Sequence, residues 1–418
     1  MQFIPRFIKQ RVIAVLKLSP VVFVNGPRQA GKSTLVRNLF DGEAAEVSYV
    51  SLDSPVQMAA AASTPLEFLK NRKSPFIIDE VQMVPELFRA LKETVDELRY
   101  NDKANAQGRF LITGSANIMA LPKLADALVG RMSILTLYQL SAAEAIGGQG
   151  QFVEQLFQQS WLAPKQTNNM SVVEAIGLAT FPEISGNKNF LERSVWLDDY
   201  ITTLLQRDVH VITALEKVSV LPHLLRMLAA RAGNLMNDAD IAREVGLNSV
   251  TSKHYRTVLK MMFLNFDVKP WYRNIGKRLV KARKGYFMDT LLLCHMIDLN
   301  LETLQTTKPA MFGHIVENFV ASELVKLLAS SNSRAQLYHF RDASQKEVDF
   351  VLEKPDGTIA GIEVKTKENI EVRDFNGLQE LRTCVGKDFV TGVVLYSGKD
   401  IVPFGDRLWA VPLNALWQ

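Results

Sequence analysis

Cysteine is nearly absent. Cys294 and Cys384 are the only ones in 418 residues, too few for a disulfide framework and without zinc-ligand spacing, which points to a reducing compartment. Long apolar runs are missing as well. No stretch approaches the length that crosses a bilayer and Met1–Arg6 lacks the apolar core of a leader, so the expectation is a cytoplasmic protein with no membrane partner. Charge of one sign is not in excess. The net charge is +4, so any affinity for nucleic acid has to come from local basic patches. His210, His223, His254 and His295 have no second ligand at metal spacing, and there is no internal repeat. What is present is an ordinary globular composition, 47% hydrophobic and 22% charged, long enough for two or three cores.

The pattern along the chain divides it into residues 1–165, 166–305 and 306–418. In the first part, apolar runs at Val21–Val24, Val47–Leu52, Phe76–Ile78, Phe110–Thr113 and Ile134–Leu137 alternate with helical segments, the rhythm of a parallel sheet covered by helices. The polar stretch Gly147–Asn169 reads as a loop or linker, and the middle part is helical, as in Phe190–Val211. The last part is mixed α/β. It has a helix near Val316–Leu328, strands near Gln336–Phe340, Val348–Glu353 and Ile359–Val364, a helix near Phe375–Cys384 and a strand near Val390–Tyr396.

Between the first apolar run and a helical segment lies Gly26-Pro27-Arg28-Gln29-Ala30-Gly31-Lys32-Ser33-Thr34, a complete G-x-x-x-x-G-K-[ST] loop in its strand–loop–helix context. The glycines let backbone N–H groups turn toward phosphates, Lys32 reaches the β- and γ-phosphates, and the Ser33 hydroxyl ligates Mg²⁺, so ATP with Mg²⁺ is the expected cofactor pair. Phe76-Ile77-Ile78-Asp79-Glu80 is the acid-tipped strand that such a loop requires. Asp79 would hold the metal through water and Glu80 would act as general base. Thr113, at the end of Phe110–Ser115, would stand beside the γ-phosphate, and Arg131 offers a finger to a neighbouring subunit or else a local salt bridge.

These segments, together with Leu52-Asp53-Ser54-Pro55, Val81-Gln82, Pro85-Glu86-Leu87, Gly130-Arg131, Phe181-Pro182-Glu183 and Arg207-Asp208-Val209, resemble the AAA+ ATPases of bacteria and archaea that carry a C-terminal domain of unknown function. The resemblance covers nearly the whole chain and implies an Orc-like or STAND-like core working as a homo-oligomer, rings included. Val129, where alanine usually precedes Gly-Arg, is a mild departure.

In the middle part, Asp238–Thr251 has the short helix, glycine turn and capped second helix of a helix-turn-helix, with Asn248 or Ser249 as cap and Ser252, Lys253, His254 and Arg256 facing outward. Val268–Met288 then carries Lys269, Arg273, Lys277, Arg278, Lys281, Arg283 and Lys284 around Asn274-Ile275-Gly276 with no acid. A basic hairpin after a helix-turn-helix is the layout of a winged helix, whose cations either contact DNA phosphates or belong to a lid packed on the ATPase core.

The third part holds Glu317 on a helix, Asp349 on one strand, and Glu363 and Lys365 on the next. Strand alternation points Glu363 and Lys365 to one face, where Asp349 can meet them. Three carboxylates and a lysine on one edge can hold a divalent metal and assist an attacking water. The element order and residues resemble the PD-(D/E)xK nuclease superfamily, which implies Glu317, Asp349 and Glu363 as metal-site acids and Lys365 as the catalytic lysine. Gln379 is a weak further match. Modules of that superfamily also retain the fold to bind DNA or a partner. The combined expectation is an ATPase that binds and remodels or processes duplex or branched DNA. The alternatives are an ATPase with an active endonuclease and a nucleotide-gated scaffold.

Overall fold

The computed structural model describes residues 3–40, 47–70, 72–101, 106–115, 128–161, 170–208, 218–274, 276, 278, 281–342 and 344–418. The strands, in chain order, are β1 (Val21–Asn25), β2 (Ser48–Ser51), β3 (Phe76–Asp79), β4 (Phe110–Gly114), β5 (Met132–Thr136), β6 (Asn265–Pro270), β7 (Lys284–Phe287), β8 (Gln336–Arg341), β9 (Glu347–Glu353), β10 (Ile359–Lys365), β11 (Phe389–Tyr396), β12 (Val402–Pro403) and β13 (Leu408–Pro412).

The apolar runs of the first part form a sheet of order β2-β3-β4-β1-β5 whose paired strands are all parallel. β1, β3 and β4 are wholly buried, as continuous apolar strands between two helical layers must be. Their carboxyl ends carry the loop at Gly26, the acids Asp79 and Glu80, and Thr113, so parallel topology alone gathers these groups at one edge.

The middle part is helical, with Phe190–Thr203 and Leu221–Ala230 among its helices. The stretch expected to be a linker instead contains the helix Phe152–Gln158, which buries Phe152, Val153 and Leu156. Gln158 is exposed, but Gln155 is buried beside an apolar stripe that composition alone conceals. The helix-turn-helix is present as Asp238–Glu244 and Ser249–Met261, with Gly246 at φ +67° in the turn and the Asn248 side chain accepting from Thr251 N at 2.8 Å. Its second helix does not present the whole expected face. Lys253 and His254 are exposed, whereas Ser252 and Arg256 are buried.

β6 and β7 form the expected antiparallel hairpin, pairing Asn265 with Phe287 and Val268 with Lys284. It is not a separate wing. β6 runs parallel to β8, so the hairpin closes one end of an eight-stranded sheet, β12-β13-β11-β10-β9-β8-β6-β7, that reaches across the boundary placed at residues 305 and 306. Within that sheet β8, β9 and β10 are antiparallel, while β10, β11 and β13 are parallel.

The helix Pro309–Ser330 joins the three parts. It buries Phe312, Ile315, Val316, Phe319, Val320, Leu324 and Leu327 in a core shared with Phe23, Leu225 and Leu395, each such side chain stabilising the fold by roughly 1.5–3 kcal/mol. Lys326 Nζ donates to Leu140 O, Ala179 O and Glu323 Oε1, all at 3.0 Å, while Glu323 Oε2 accepts from Ala142 N at 2.8 Å. This buried pair is satisfied on both sides, as a charge pair out of water has to be. Among the described residues no helix is long and apolar enough to cross a membrane.

Candidate nucleotide site and a second carboxylate cluster

The loop between β1 and the helix Lys32–Arg37 has the backbone its sequence demands. Gly26 sits at φ +151°, and a Cβ there would lie 2.0 Å from Leu137 O, so only glycine fits. Gly31, at φ +92°, turns the chain into the helix. Lys32 is buried and its Nζ donates to Gly26 O at 3.1 Å and Pro27 O at 2.8 Å, which lays the ammonium along the loop. Arg6 braces the loop from outside, donating to Ala30 O at 2.7 Å and Tyr138 O at 2.8 Å and pairing with Glu144 at 3.2 Å.

Asp79 and Glu80 are held by uncharged donors. The Thr113 hydroxyl donates to Asp79 Oδ1 and accepts from Glu80 N at 3.1 Å, so this fully buried residue positions both acids. Tyr49, on the neighbouring β2, donates to Asp79 Oδ2 at 2.7 Å. Burial and then that bond push its phenol up to about 12. Gln82 Nε2 donates to Glu80 Oε2 and to Ser115 Oγ at 3.0 Å. Its amide lies so close to Gly114 that a Cβ there would be 2.9 Å from Gln82 Oε1.

A cleft of about 720 Å³ opens over the loop, lined by Arg28, Gln29, Gly31, Lys32, Ser33, Thr34 and Glu80 on one wall. The other wall comes from the helical middle part, which contributes Pro182, Glu183, Trp196, Asp199, Tyr200, Thr203 and Leu204. Trp196 and Tyr200 stack with ring centroids 5.3 Å apart. Of the residues missed in the sequence, Tyr49 is legible as a polar group in the strand beside the acid-tipped one. Trp196, Asp199 and Tyr200 carry only helical periodicity. Arg131 is bound within its own chain, Nε to Asp96 Oδ1 at 2.6 Å and Nη2 to Asp96 Oδ2 at 2.9 Å, which lowers the Asp96 carboxyl.

The four residues of the C-terminal constellation are together. Antiparallel pairing of β9 with β10 brings Asp349 beside Glu363, with Val364 N donating to Asp349 Oδ2 at 2.9 Å and Asp349 N to Glu363 Oε2 at 3.4 Å. Lys365 Nζ donates to Glu363 Oε1 at 2.7 Å. Glu317 faces them from the helix Pro309–Ser330. Two residues of β7 join the group. Tyr286 OH donates to Glu317 Oε1 at 2.7 Å, and Lys284 Nζ bridges Glu317 Oε1 at 3.0 Å and Asp349 Oδ1 at 3.5 Å. Burial and then the charge of Asp349 push the Glu317 and Glu363 carboxyls up. Burial alone would lower Lys284, but Asp349 and Glu317 outweigh it and raise the ammonium. Among the described residues no group of acids, histidines and cysteines is arranged to hold a metal ion.

Lys284 therefore does not belong to a DNA-facing surface, and neither do two other basic residues assigned to one. Arg256 pairs with Asp238 and with Asp267 at 3.4 Å, and Asp267 also receives Lys260 and, at 3.7 Å, Arg283. Arg278 pairs with Glu353 and lies over the rings of Trp271 and Tyr338, 5.3 and 5.0 Å from their centroids. Each of these cations is engaged by a carboxylate remote in sequence, so a run without acids is not a region without acids. Lys253, Arg273 and Lys281 are exposed, and Lys277 lies outside the described residues.

Residues 18–146 match the model of an AAA domain, residues 172–303 a domain of unknown function (DUF8612), and residues 312–416 another (DUF4143). Over 407 residues the chain is 27% identical to the uncharacterized protein Rv2008c of Mycobacterium tuberculosis and equally to Mb2031c of Mycobacterium bovis, covering 97% of this chain and 83% of each relative. Similar solved structures include the Walker-type ATPase of Pyrococcus abyssi, with TM-score 0.41, 13% identity, and 69% of this chain and 94% of that one covered. AMPPCP-bound DnaA from Aquifex aeolicus has TM-score 0.28 and 15% identity, with 62% and 89% covered. The AAA match and the loop at Gly26–Thr34 agree. The N-terminal part is an AAA-type P-loop ATPase domain.

Proposed function

We propose that the protein hydrolyses ATP in the cleft over Gly26–Thr34 and uses the reaction to move its helical middle part, acting on DNA. The observation that carries this reading is the composite wall: Lys32 and Glu80 share one cleft with Pro182, Trp196 and Asp199, so a change at the phosphates is felt directly by another part of the chain. Ser33 and Asp79 would hold Mg²⁺, whose charge would offset that of the phosphates. Lys32 leaves its carbonyl partners for the β- and γ-phosphate oxygens. Glu80 accepts a proton from the attacking water at Oε1 or Oε2, and Gln82, bonded to Oε2, sets the direction of that carboxylate. In a homo-oligomer Arg131 exchanges Asp96 for the phosphates of a neighbouring copy, acting as a finger.

Lys253, Arg273 and Lys281 support DNA as the partner, because exposed cations on a helix-turn-helix and its adjoining hairpin are placed to meet phosphates. The internal pairing of Arg256, Arg278 and Lys284 favours a second reading, a nucleotide-gated scaffold indifferent to DNA. ATP turnover with and without duplex or branched DNA separates the two. The first reading expects stimulation, and binding that weakens with salt. Replacing Lys253 and Lys281 together by alanine reduces the salt slope by about 2, at about 0.9 per phosphate contact. Absence of DNA binding at low salt leaves only the scaffold.

A further inference from the structure

The C-terminal cluster has the acids of a metal-dependent nuclease and one residue that such a site has no use for. Lys284 enters from β7, a strand outside the helix and strands that carry Glu317, Asp349, Glu363 and Lys365. It places its ammonium between two of the three carboxylates, where a divalent cation would bridge them. We propose that Lys284 is a resident cation standing in place of a metal, so that this cluster binds neither Mg²⁺ nor Mn²⁺ and does not cleave phosphodiesters.

Three observations bear on this. Each of the three carboxylates already has an ammonium on one oxygen: Glu317 Oε1 and Asp349 Oδ1 receive Lys284, and Glu363 Oε1 receives Lys365. Charge is largely offset too, since the ammoniums of Lys284 and Lys365 stand against the three carboxylates, with Glu347 acting on Lys284 from the end of β9, which weakens the pull on a dication. Finally, the lysine is held in place from its backbone. β7 pairs with β6 on one side, and on the other Lys284 bridges to Leu235, with Gly285 O accepting from Gly233 N at 2.8 Å and Gly285 N donating to Asn234 O at 3.2 Å. The ammonium is nearly sealed from water, so swinging it aside for a metal would leave it buried without a partner.

The test is Mn²⁺ binding to the full chain without nucleotide, read by electron paramagnetic resonance and by the Mn²⁺-dependent shift of the thermal transition. The variants are Lys284→Met, Asp349→Asn and the two combined. Wild type is expected to show no Mn²⁺ that Asp349→Asn removes. Lys284→Met is expected to bind Mn²⁺ at least about tenfold more tightly than wild type, to be stabilised by it, and to lose both effects when Asp349→Asn is added. A folded Lys284→Met that gains no Mn²⁺ overturns the assignment. The wild-type arm decides even where Lys284→Met does not fold. Mn²⁺ bound by wild type and lost in Asp349→Asn, or Mn²⁺-dependent nicking lost in Lys365→Ala, makes the cluster a metal site after all.

Discussion

The two acid clusters of this protein are built from the same side chains and held in opposite ways. At the end of β3, Asp79 and Glu80 are oriented by a hydroxyl, a phenol and an amide, while the nearby Lys32 bonds to loop carbonyls. On β9 and β10, Asp349 and Glu363 are met by the ammoniums of Lys284 and Lys365. Neutral donors fix direction and leave the negative charge in place for a cation or a proton. Ammonium partners fix direction and remove the charge. Glu80 of the first cluster lines a cleft of about 720 Å³ although Asp79 behind it is buried, whereas Asp349 and Glu363 of the second are both buried among their partners.

The comparison breaks most visibly if the first cluster is not the working one. Lys32→Ala is expected to abolish ATP turnover, and Glu80→Gln to reduce it by about 10²–10⁴-fold, the usual contribution of a positioned base. Phosphate release at saturating ATP measures both. Turnover that survives in Glu80→Gln assigns the proton to another group in the cleft, and Asp199 on the opposite wall is then the first to test.

The two clusters were not equally legible in the sequence. The P-loop and its sheet are local: glycine spacing sets the backbone, apolar runs set the strands, and parallel topology does the rest. Asp349, Glu363 and Lys365 could also be brought together from strand alternation alone. The sign of the second cluster could not be read in the same way, because Lys284 lies in a basic run whose partners are far along the chain. The outward face expected of Arg256 and the phosphate contact expected of Arg278 fail for the same reason, their carboxylates being Asp238, Asp267 and Glu353. One signal was available. In Lys284-Gly285-Tyr286 the two-residue strand period places the lysine and the phenol on one face, which is the face turned to Glu317. The helix Phe152–Gln158 shows the complementary lesson, that a polar composition does not exclude an apolar stripe.

The charge held in the second cluster also has a reporter. His339 on β8 is pushed down to about 4 by burial and by the positive charge of Lys284. The folded chain keeps this imidazole neutral while the unfolded chain protonates near 6.5, so its contribution is full above pH 6.5 and is lost as pH falls toward 4. The loss is on the order of 3 kcal/mol across that window. Glu317 and Glu363, pushed up, act with the opposite sign, so the total slope mixes both. The difference in urea midpoint between wild type and His339→Gln, followed from pH 7 to pH 4.5, isolates the histidine. It should narrow steadily as pH falls. In Lys284→Met the histidine should titrate higher, and a titration unmoved by that change would show that Lys284 does not place its charge there.

The smallest expected effect tests whether neutral donors matter to the first cluster. Tyr49→Phe removes the 2.7 Å bond to Asp79 Oδ2 together with the 2.9 Å bond that the hydroxyl accepts from Arg37 Nη2, and leaves the ring and the Thr113 bond to Asp79 Oδ1 in place. One such bond is worth about 1 kcal/mol, or about fivefold in an equilibrium constant. Because Asp79 is assigned to the metal and Glu80 to the proton, the loss should appear as a roughly fivefold higher Mg²⁺ requirement with nearly unchanged turnover at saturating Mg²⁺. A fall in turnover that excess Mg²⁺ does not repair would instead place Tyr49 in the chemistry itself. An unchanged Mg²⁺ dependence would mean that Thr113 alone orients the carboxylate, and that the contrast between the clusters rests on their cations rather than on their neutral donors.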